Sequence, residues 1–233
     1  MKILLIGGDG FCGWPTTLEL LKNGYDVTIL DNLSRRSIDA KLGTNSLTPI
    51  SSITDRVKIA NHTFTGKCDF INHDIARDYT ELVHILSTNM FTAIVHFGEI
   101  RSAPYSMMNH HTRLQTINNN ISGTANICNA VAEVNPNIHI VHLGTTGIYG
   151  YNSNFGKLPE GYLNVKVKAI NADREILFPT DPDSIYHMTK SMDQIMFQYY
   201  NKNWNIPITD LHQGIVWGSQ TDNTLQHDSL VNR

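Results

Sequence analysis

Tyr186 and Lys190 stand four residues apart in Tyr-His-Met-Thr-Lys, a spacing that puts both side chains on one face of a helix. A phenol with a pKa near 10 is a poor base at neutral pH, but a neighbouring ammonium favours its phenolate. With the Thr145 hydroxyl sharing the same substrate oxygen, the pair suits removal of a proton from a secondary alcohol while the carbon loses a hydride. His187, beside Tyr186, is a candidate proton shuttle. Spacing alone is weak, since 9 Tyr and 10 Lys in 233 residues give about 0.4 such pairs by chance, and Tyr162-x-x-x-Lys166 is a second match. Context selects Tyr186. It follows a turn over 179–183, opens an amphipathic stretch and lies 41 residues after Thr145, whereas Tyr162 sits in an alternating, hairpin-like run.

A hydride needs an acceptor, and the N-terminal segment supplies a place for one. Gly7-Gly-Asp-Gly10-Phe11-Cys12-Gly13 is a G-x-x-G-x-x-G pattern between an apolar run and a helical one. Glycine there makes a tight turn, admits a diphosphate close to the backbone and packs the helix onto the strand. The N–H groups and positive dipole end of the helix then hold the anion. Asp31, eighteen residues after Gly13, would accept bonds from both ribose hydroxyls and repel a 2′-phosphate, which points to NAD over NADP. Arg35 and Arg36 pull the other way, because arginine can take that phosphate; the carboxylate decides. Asp74 and Ile75 are placed to meet the adenine. Asn32, Phe97 and Gly98, at strand ends, complete the expected cofactor set together with Tyr186, Lys190 and Gln213. Arg101, Thr145 and Gln213 are the expected substrate contacts, Arg101 as an anion binder.

The elements that must position these groups follow from hydrophobic patterning. Strands are expected at 2–6, 26–30, 70–72, 93–97, 138–143 and 208–215, with helices at 15–22, 78–87, 113–134 and 188–201. This alternation predicts an α/β fold, a doubly wound Rossmann sheet with helices on both faces. Two segments interrupt it, a polar insertion over 34–56 and a Gly/Pro-punctuated excursion over 152–183. Residues 1–150 thus form a cofactor-binding core and 151–183 a substrate-side excursion. Residues 184–220 return to the core through the catalytic helix and sixth strand, and 221–233 begin a small, apparently truncated substrate-binding portion. Asn120 reads as structural support. Apolar stripes at Ile117, Ile121 and Ile127 and at Ile195, Met196 and Tyr199 suit either internal packing or a homodimer.

Composition narrows the function classes. A net charge of −3 gives no footprint for nucleic acid or an anionic membrane, and no run approaches the roughly 18 apolar residues of a membrane span. The first residues read as a strand rather than a signal peptide, so the expected compartment is the cytoplasm, or the plastid stroma if a transit peptide has been removed. Three separated cysteines suit reduced thiols. The histidines show no zinc spacing, so no metal site is expected. There is no G-x-S-x-G elbow and no P-loop.

Longer stretches resemble one family. Ile6-Gly-Gly-Asp-Gly-Phe-Cys-Gly-Trp14, Asp31-Asn-Leu with Arg35-Arg36, Ser46-Leu-Thr-Pro-Ile50, His96-Phe-Gly-Glu-Ile-Arg-Ser-Ala-Pro-Tyr-Ser-Met107, Leu143-Gly-Thr145, Tyr186-His-Met-Thr-Lys190 and Thr209-Asp-Leu-His-Gln-Gly-Ile-Val-Trp-Gly218 are similar to the UDP-sulfoquinovose synthases of sulfolipid biosynthesis. These are extended short-chain dehydrogenase/reductases of the NAD-dependent epimerase/dehydratase type. The resemblance implies oxidation of UDP-glucose at C4 with tightly held NAD, loss of water across C5–C6, addition of sulfite at C6 and return of the hydride. Carried over by position, Thr145, Tyr186 and Lys190 run the redox steps, and Gly7, Gly10, Gly13, Asp31, Arg36 and Asp74 hold the cofactor. Ordinary sugar 4,6-dehydratases place Asp-Glu directly after the catalytic threonine; here those positions are Thr146 and Gly147, which leaves His187 for elimination. The chain departs from the family at Ile148, where an acid is usual, and at His212, where asparagine is usual. Two further readings use the same residues: a UDP-sugar 4-epimerase or related oxidoreductase, and a truncated, non-catalytic NAD-binding protein.

Overall fold

A computed structural model describes residues 1–44, 46, 49–151, 157–158 and 161–216. The expected start of the C-terminal portion at 221–233, residues 217–220 and part of the 46–50 landmark lie outside them.

Six parallel strands form the sheet: β1 (Lys2–Ile6), β2 (Asp26–Asp31), β3 (Cys68–Asn72), β4 (Phe91–His96), β5 (His139–His142) and β8 (Ile208–Asp210), in the order β3-β2-β1-β4-β5-β8. The order reverses between β1 and β4, which places a crevice at the carboxyl ends of those strands. Both faces are covered, and β1 shows how. Its alternate residues Ile3 and Leu5 pack with Leu21, Val27, Ile29, Ile53 and Ala60, while Leu4 and Ile6 pack with Leu82, Leu86, Ile94, Ile127, Val131 and Phe197. A strand buried on both sides must be apolar at every position, and each fully buried Leu or Ile contributes about 1.5–3 kcal/mol.

The first of these faces carries α1 (Gly13–Lys22) and α3 (Ile53–Thr63); the second carries α4 (Tyr79–Thr88), α6 (His110–Val134) and α7 (Ile185–Trp204). Two short helices, α2 (Ser34–Lys41) and α5 (Ala103–Met107), follow β2 and β4. The polar insertion therefore contains α2 and the start of α3, the latter capped by Ser52, whose hydroxyl accepts from Asp55 N–H. The excursion contains an antiparallel hairpin of β6 (Tyr162–Val167) and β7 (Ala172–Leu177), so the Tyr162–Lys166 match lies on a strand. β8 is shorter than the apolar run predicts, and α7 starts at Ile185 because Ser184 caps it by accepting from His187 N–H. Ile127 faces the core, whereas Ile195 and Tyr199 are exposed.

Candidate active site

The loop from β1 to α1 is shaped for close approach. Gly7 has φ +85°, and a Cβ there would lie 2.6 Å from the Phe97 carbonyl carbon; a Cβ on Gly13 would collide with the Gly7 carbonyl oxygen. A side chain at Gly7 would push the loop away from the end of β4, and one at Gly13 would push α1 away from the loop. No side chain caps the start of α1 at Cys12, in contrast to α3, α4, α6 and α7, which Ser52, Asp78, Asn109 and Ser184 cap. A diphosphate fits there as acceptor.

A cleft of about 1310 Å³ opens above this loop. Gly7, Gly10, Phe11, Cys12 and Gly13 line it from the loop, Asp31 and Asn32 from the end of β2, and Phe97 and Gly98 from the end of β4. Ile75, Arg101, Thr145, Tyr186, His187, Lys190 and Gln213 line the rest. Two expected cofactor residues lie elsewhere. Asp74 lines a smaller recess alongside and sits 3.5 Å from Arg77. Arg36 grips Asp9 with two parallel bonds of 2.7 and 2.9 Å, and Arg56, stacked 4.5 Å over Trp14, binds the same carboxylate. The guanidinium fork matches a carboxylate better than any other partner in reach. Arg36 thus braces the glycine loop and is not poised for a 2′-phosphate, while Arg35 pairs with Asp39 at 3.0 Å.

Asp31 is held at the cleft by the backbone N–H of Asp9 (2.9 Å) and of Leu33 (2.8 Å). Burial pushes its carboxyl up, and those N–H groups pull it down. Its acceptor face suits ribose hydroxyls. Glycine cradle, uncapped helix and this carboxylate fit an adenine dinucleotide.

On the other wall, Thr145, three residues beyond β5, is in extended conformation and makes an isolated parallel bridge with Gln213. Tyr186 is fixed by donation from its backbone N–H to Ser106 Oγ, and Asn120 ties α6 to α7 by bonding Thr189 and the backbone of Ile100. Burial pushes the Tyr186 phenol up, with Lys190 pulling it down and Glu99 pushing it up again. The expected ammonium is present, but its effect is offset by an anion that the sequence did not reveal. Arg101 is half-buried beside the Phe11 ring, 5.9 Å from its centroid, and desolvation pushes its guanidinium down.

His187 is buried, with Nδ1 3.0 Å from Ser184 Oγ and Nε2 3.2 Å from Tyr151 Oη. Burial pushes its imidazole down, which favours the neutral ring, with one nitrogen on Ser184 and the other on Tyr151. Its ring fills the space beside Gly147.

Behind Lys190 lies a cluster that motif reading missed. The Lys190 ammonium pairs with Glu99 and donates to the Leu143 carbonyl at 2.7 Å, and it meets His142 Nε2 at 3.0 Å. Asp193, fully buried, lies 3.7 Å from His142. The ligand atoms of His96, Glu99 and His142 fall within 4.8 Å of one another, but the ammonium already bonds two of the three. Burial raises Asp193 and lowers His96 to about 4, while Glu99, despite burial, is held well below the usual range by Lys190 and the two histidines. His96 and Glu99 lie in one noted stretch, but Glu99 pairs with Lys190, 91 residues away, and nothing in the sequence joins them.

A glycine-cradled cleft at the switch point of a parallel sheet, with a Tyr–Lys pair on its wall, defines a Rossmann-type nucleotide enzyme site. Residues 3–230 match the NAD dependent epimerase/dehydratase family, and the chain belongs to it. It is 40% identical over all 233 residues to the chloroplastic UDP-sulfoquinovose synthase of Spinacia oleracea, covering 47% of that protein. It is 36% identical over 228 residues, 97% of the chain, to the UDP-sulfoquinovose synthase of Sulfolobus acidocaldarius, covering 56% of it. The chain thus spans about half the length of these relatives. Among solved structures, the UDP-glucuronic acid 4-epimerase of Bacillus cereus with NAD matches with a TM-score of 0.66 at 24% identity over 91% of this chain and 56% of that one. The UDP-glucose 4-epimerase of Thermotoga maritima matches with a TM-score of 0.64 at 19% identity over 91% and 55%. These two support the fold. Among the described residues no helix is long and apolar enough to cross a membrane.

Proposed function

We propose that the chain carries the NAD-binding and redox centre of a UDP-sulfoquinovose synthase, acting on UDP-glucose and sulfite. The observation that carries this is the convergence of Thr145, Tyr186 and His187 on the cleft beside the glycine cradle, in a chain 40% identical throughout to the spinach synthase. Bound NAD supplies a reversible hydride acceptor. Gly7, Gly10, Phe11, Cys12, Gly13, Asp31, Asn32, Phe97 and Gly98 hold it, with Ile75 toward the adenine. Thr145 and Tyr186 take the proton of the sugar C4 hydroxyl, and Lys190 holds positive charge behind the phenol. The resulting ketone acidifies C5–H, and His187, neutral and paired with Tyr151, moves the proton that leaves C5 as water departs from C6. Arg101 attracts the sulfite anion, and Gln213 orients the sugar. In net terms the sugar exchanges its C6 hydroxyl for a sulfonate, with water released and no net oxidation of the cofactor.

A 4-epimerase would need Thr145, Tyr186 and Lys190 alone. His187 in the space beside Gly147 separates the two readings, since it restores an acid–base group where the residues after Thr145 provide none. The product belongs to sulfolipid synthesis, in the cytoplasm or the plastid stroma. The exposed Leu114, Ile195 and Tyr199 on α6 and α7 suit a homodimer. Incubation of the purified chain with UDP-glucose, NAD and sulfite, followed by mass spectrometry, should give a sulfite-dependent UDP-sulfohexose. Sulfite-independent conversion to UDP-galactose would establish the epimerase instead.

A further inference from the structure

Asp9, in the middle of the glycine loop, is a buried carboxylate with two cations on it. Its side chain is 3% exposed, and Arg36 from α2 spends Nε and Nη2 on its two oxygens at 2.7 and 2.9 Å. Arg56 from α3, 10% exposed and stacked over Trp14, binds the same carboxylate. One guanidinium would neutralise Asp9, so the second leaves a surplus positive charge. That surplus is balanced by Asp31, whose Oδ2 accepts the Asp9 backbone N–H at 2.9 Å. Four charges from the loop, β2, α2 and α3 thus sum to zero around the carboxylate that suits an adenosine ribose.

We propose that Asp9 is a specificity-determining residue: by holding Arg36 it withholds that guanidinium from an adenosine 2′-phosphate and so keeps the cleft selective for NAD. The inference rests on the dinucleotide and not on the sugar chemistry. Asp31 supplies one half of the discrimination, since it accepts from ribose hydroxyls and repels a phosphate. A neighbouring arginine can undo that repulsion, because a guanidinium fork binds a phosphate through two charge-assisted bonds. Arg36 stands close enough for its charge to be felt there. Burial and two backbone bonds dominate the Asp31 carboxyl, but Asp9 also pushes it up and Arg36 pulls it down. Asp9 supplies the other half by occupying the fork.

The two arginines differ in freedom. Arg36 exposes 35% of its side chain, so it has room to turn once Asp9 no longer attracts it. Arg56 is pinned against the Trp14 ring and keeps Asp9 ionised, which a carboxylate this deeply buried requires. Asp9 touches neither phosphate nor ribose in this role; it acts through Arg36.

The test reads binding and needs no turnover. Affinities of NAD, NADP, adenosine 5′-monophosphate and adenosine 2′,5′-bisphosphate are measured by calorimetry in an Asp31→Ala background, where the repelling carboxylate is absent. Asp31→Ala alone should bind NADP no more tightly than NAD. Adding Asp9→Asn frees Arg36, and NADP and the bisphosphate should each gain about 10–100-fold, the equivalent of one or two bonds to a charged group. NAD and the monophosphate should change far less, and Arg36→Gln as a third substitution should cancel the gain. If Asp9 only shapes the loop, all four ligands will move together and the NADP-to-NAD ratio will stay put. That result, or a gain that persists without Arg36, would overturn the proposal. If the Asp9→Asn combination does not fold, Arg36→Gln in Asp31→Ala decides: with Asp9 intact, NADP affinity should be unchanged, and a loss would show that Arg36 already reaches the phosphate. Failure of the unmodified chain to oxidise UDP-glucose would count against the proposed function alone.

Discussion

The imidazole of His187 fills the space that a side chain at position 147 would enter: a Cβ on Gly147 would collide with His187 Nε2 and lie 2.6 Å from its Cδ2. One residue in the helix and one in the loop after β5 thus compete for a single volume beside Thr145. Having glycine at 147 is what allows a base from α7 to face the cleft.

Gly147→Ala should therefore do more than crowd the loop. Overpacking of this kind costs about 1–3 kcal/mol, read as a lower denaturant midpoint, and the displaced imidazole should lower product formation further than the stability loss explains. Wild-type stability and turnover in this variant would show that the ring has room to move.

Asp31→Ala removes a carboxylate that two backbone N–H groups hold at the cleft. Hydrogen bonds to charged groups contribute about 1.5–3 kcal/mol, so NAD affinity measured by calorimetry should fall by about 10–100-fold. NADP should lose less. Because Arg36 stays on Asp9, the variant should not become NADP-selective; a clear preference for NADP would show that Arg36 leaves Asp9.

Glu99→Gln strands the Lys190 ammonium in a buried cluster. Breaking one side of a buried pair costs about 3–5 kcal/mol, and denaturant unfolding should register it. Glu19→Gln, which breaks an exposed pair with Lys22, should leave the midpoint unchanged within error. Equal effects from the two would contradict the placement of Glu99.

His96 gives a pH dependence of definite sign. Burial lowers its folded-state pKa to about 4, below the unfolded value near 6.5. The unfolded chain therefore binds the extra proton first, and His96 removes stability as pH falls from 6.5 toward 4, by about 3 kcal/mol in all. Neighbouring groups titrate too, so the comparison is with His96→Leu, whose stability should decline less over the same window. Parallel declines would contradict a neutral, buried His96.

Local pattern revealed the nucleotide half of the site. Gly7, Gly13 and Asp31 follow one another within a single β-α-β unit, where backbone shape dictates residue type. Thr145 and Tyr186 were legible because each stands at the end or start of a regular element. The cluster behind Lys190 was not, because Glu99, His142, Asp193 and Asp210 come from four elements and meet only when the sheet is assembled. The pairing of Arg36 with Asp9 was hidden for the same reason: Asp9 lies across the loop, and nothing in the spacing tells a guanidinium which of two anions it will hold. The helices within 34–56 were hidden by their polar composition, since α2 buries no residue and so lacks the periodic stripe that marks a helix.

Oxidation of the sugar is the step on which elimination and sulfite addition both depend. The most direct measurement is absorbance at 340 nm after mixing the NAD-loaded chain with UDP-glucose, beside Tyr186→Phe. Reduced nicotinamide should appear with the unmodified chain and fall by at least a hundredfold in rate in Tyr186→Phe, with NAD affinity unchanged. No absorbance change with the unmodified chain, NAD remaining bound, would contradict a working redox centre and leave a nucleotide-binding protein.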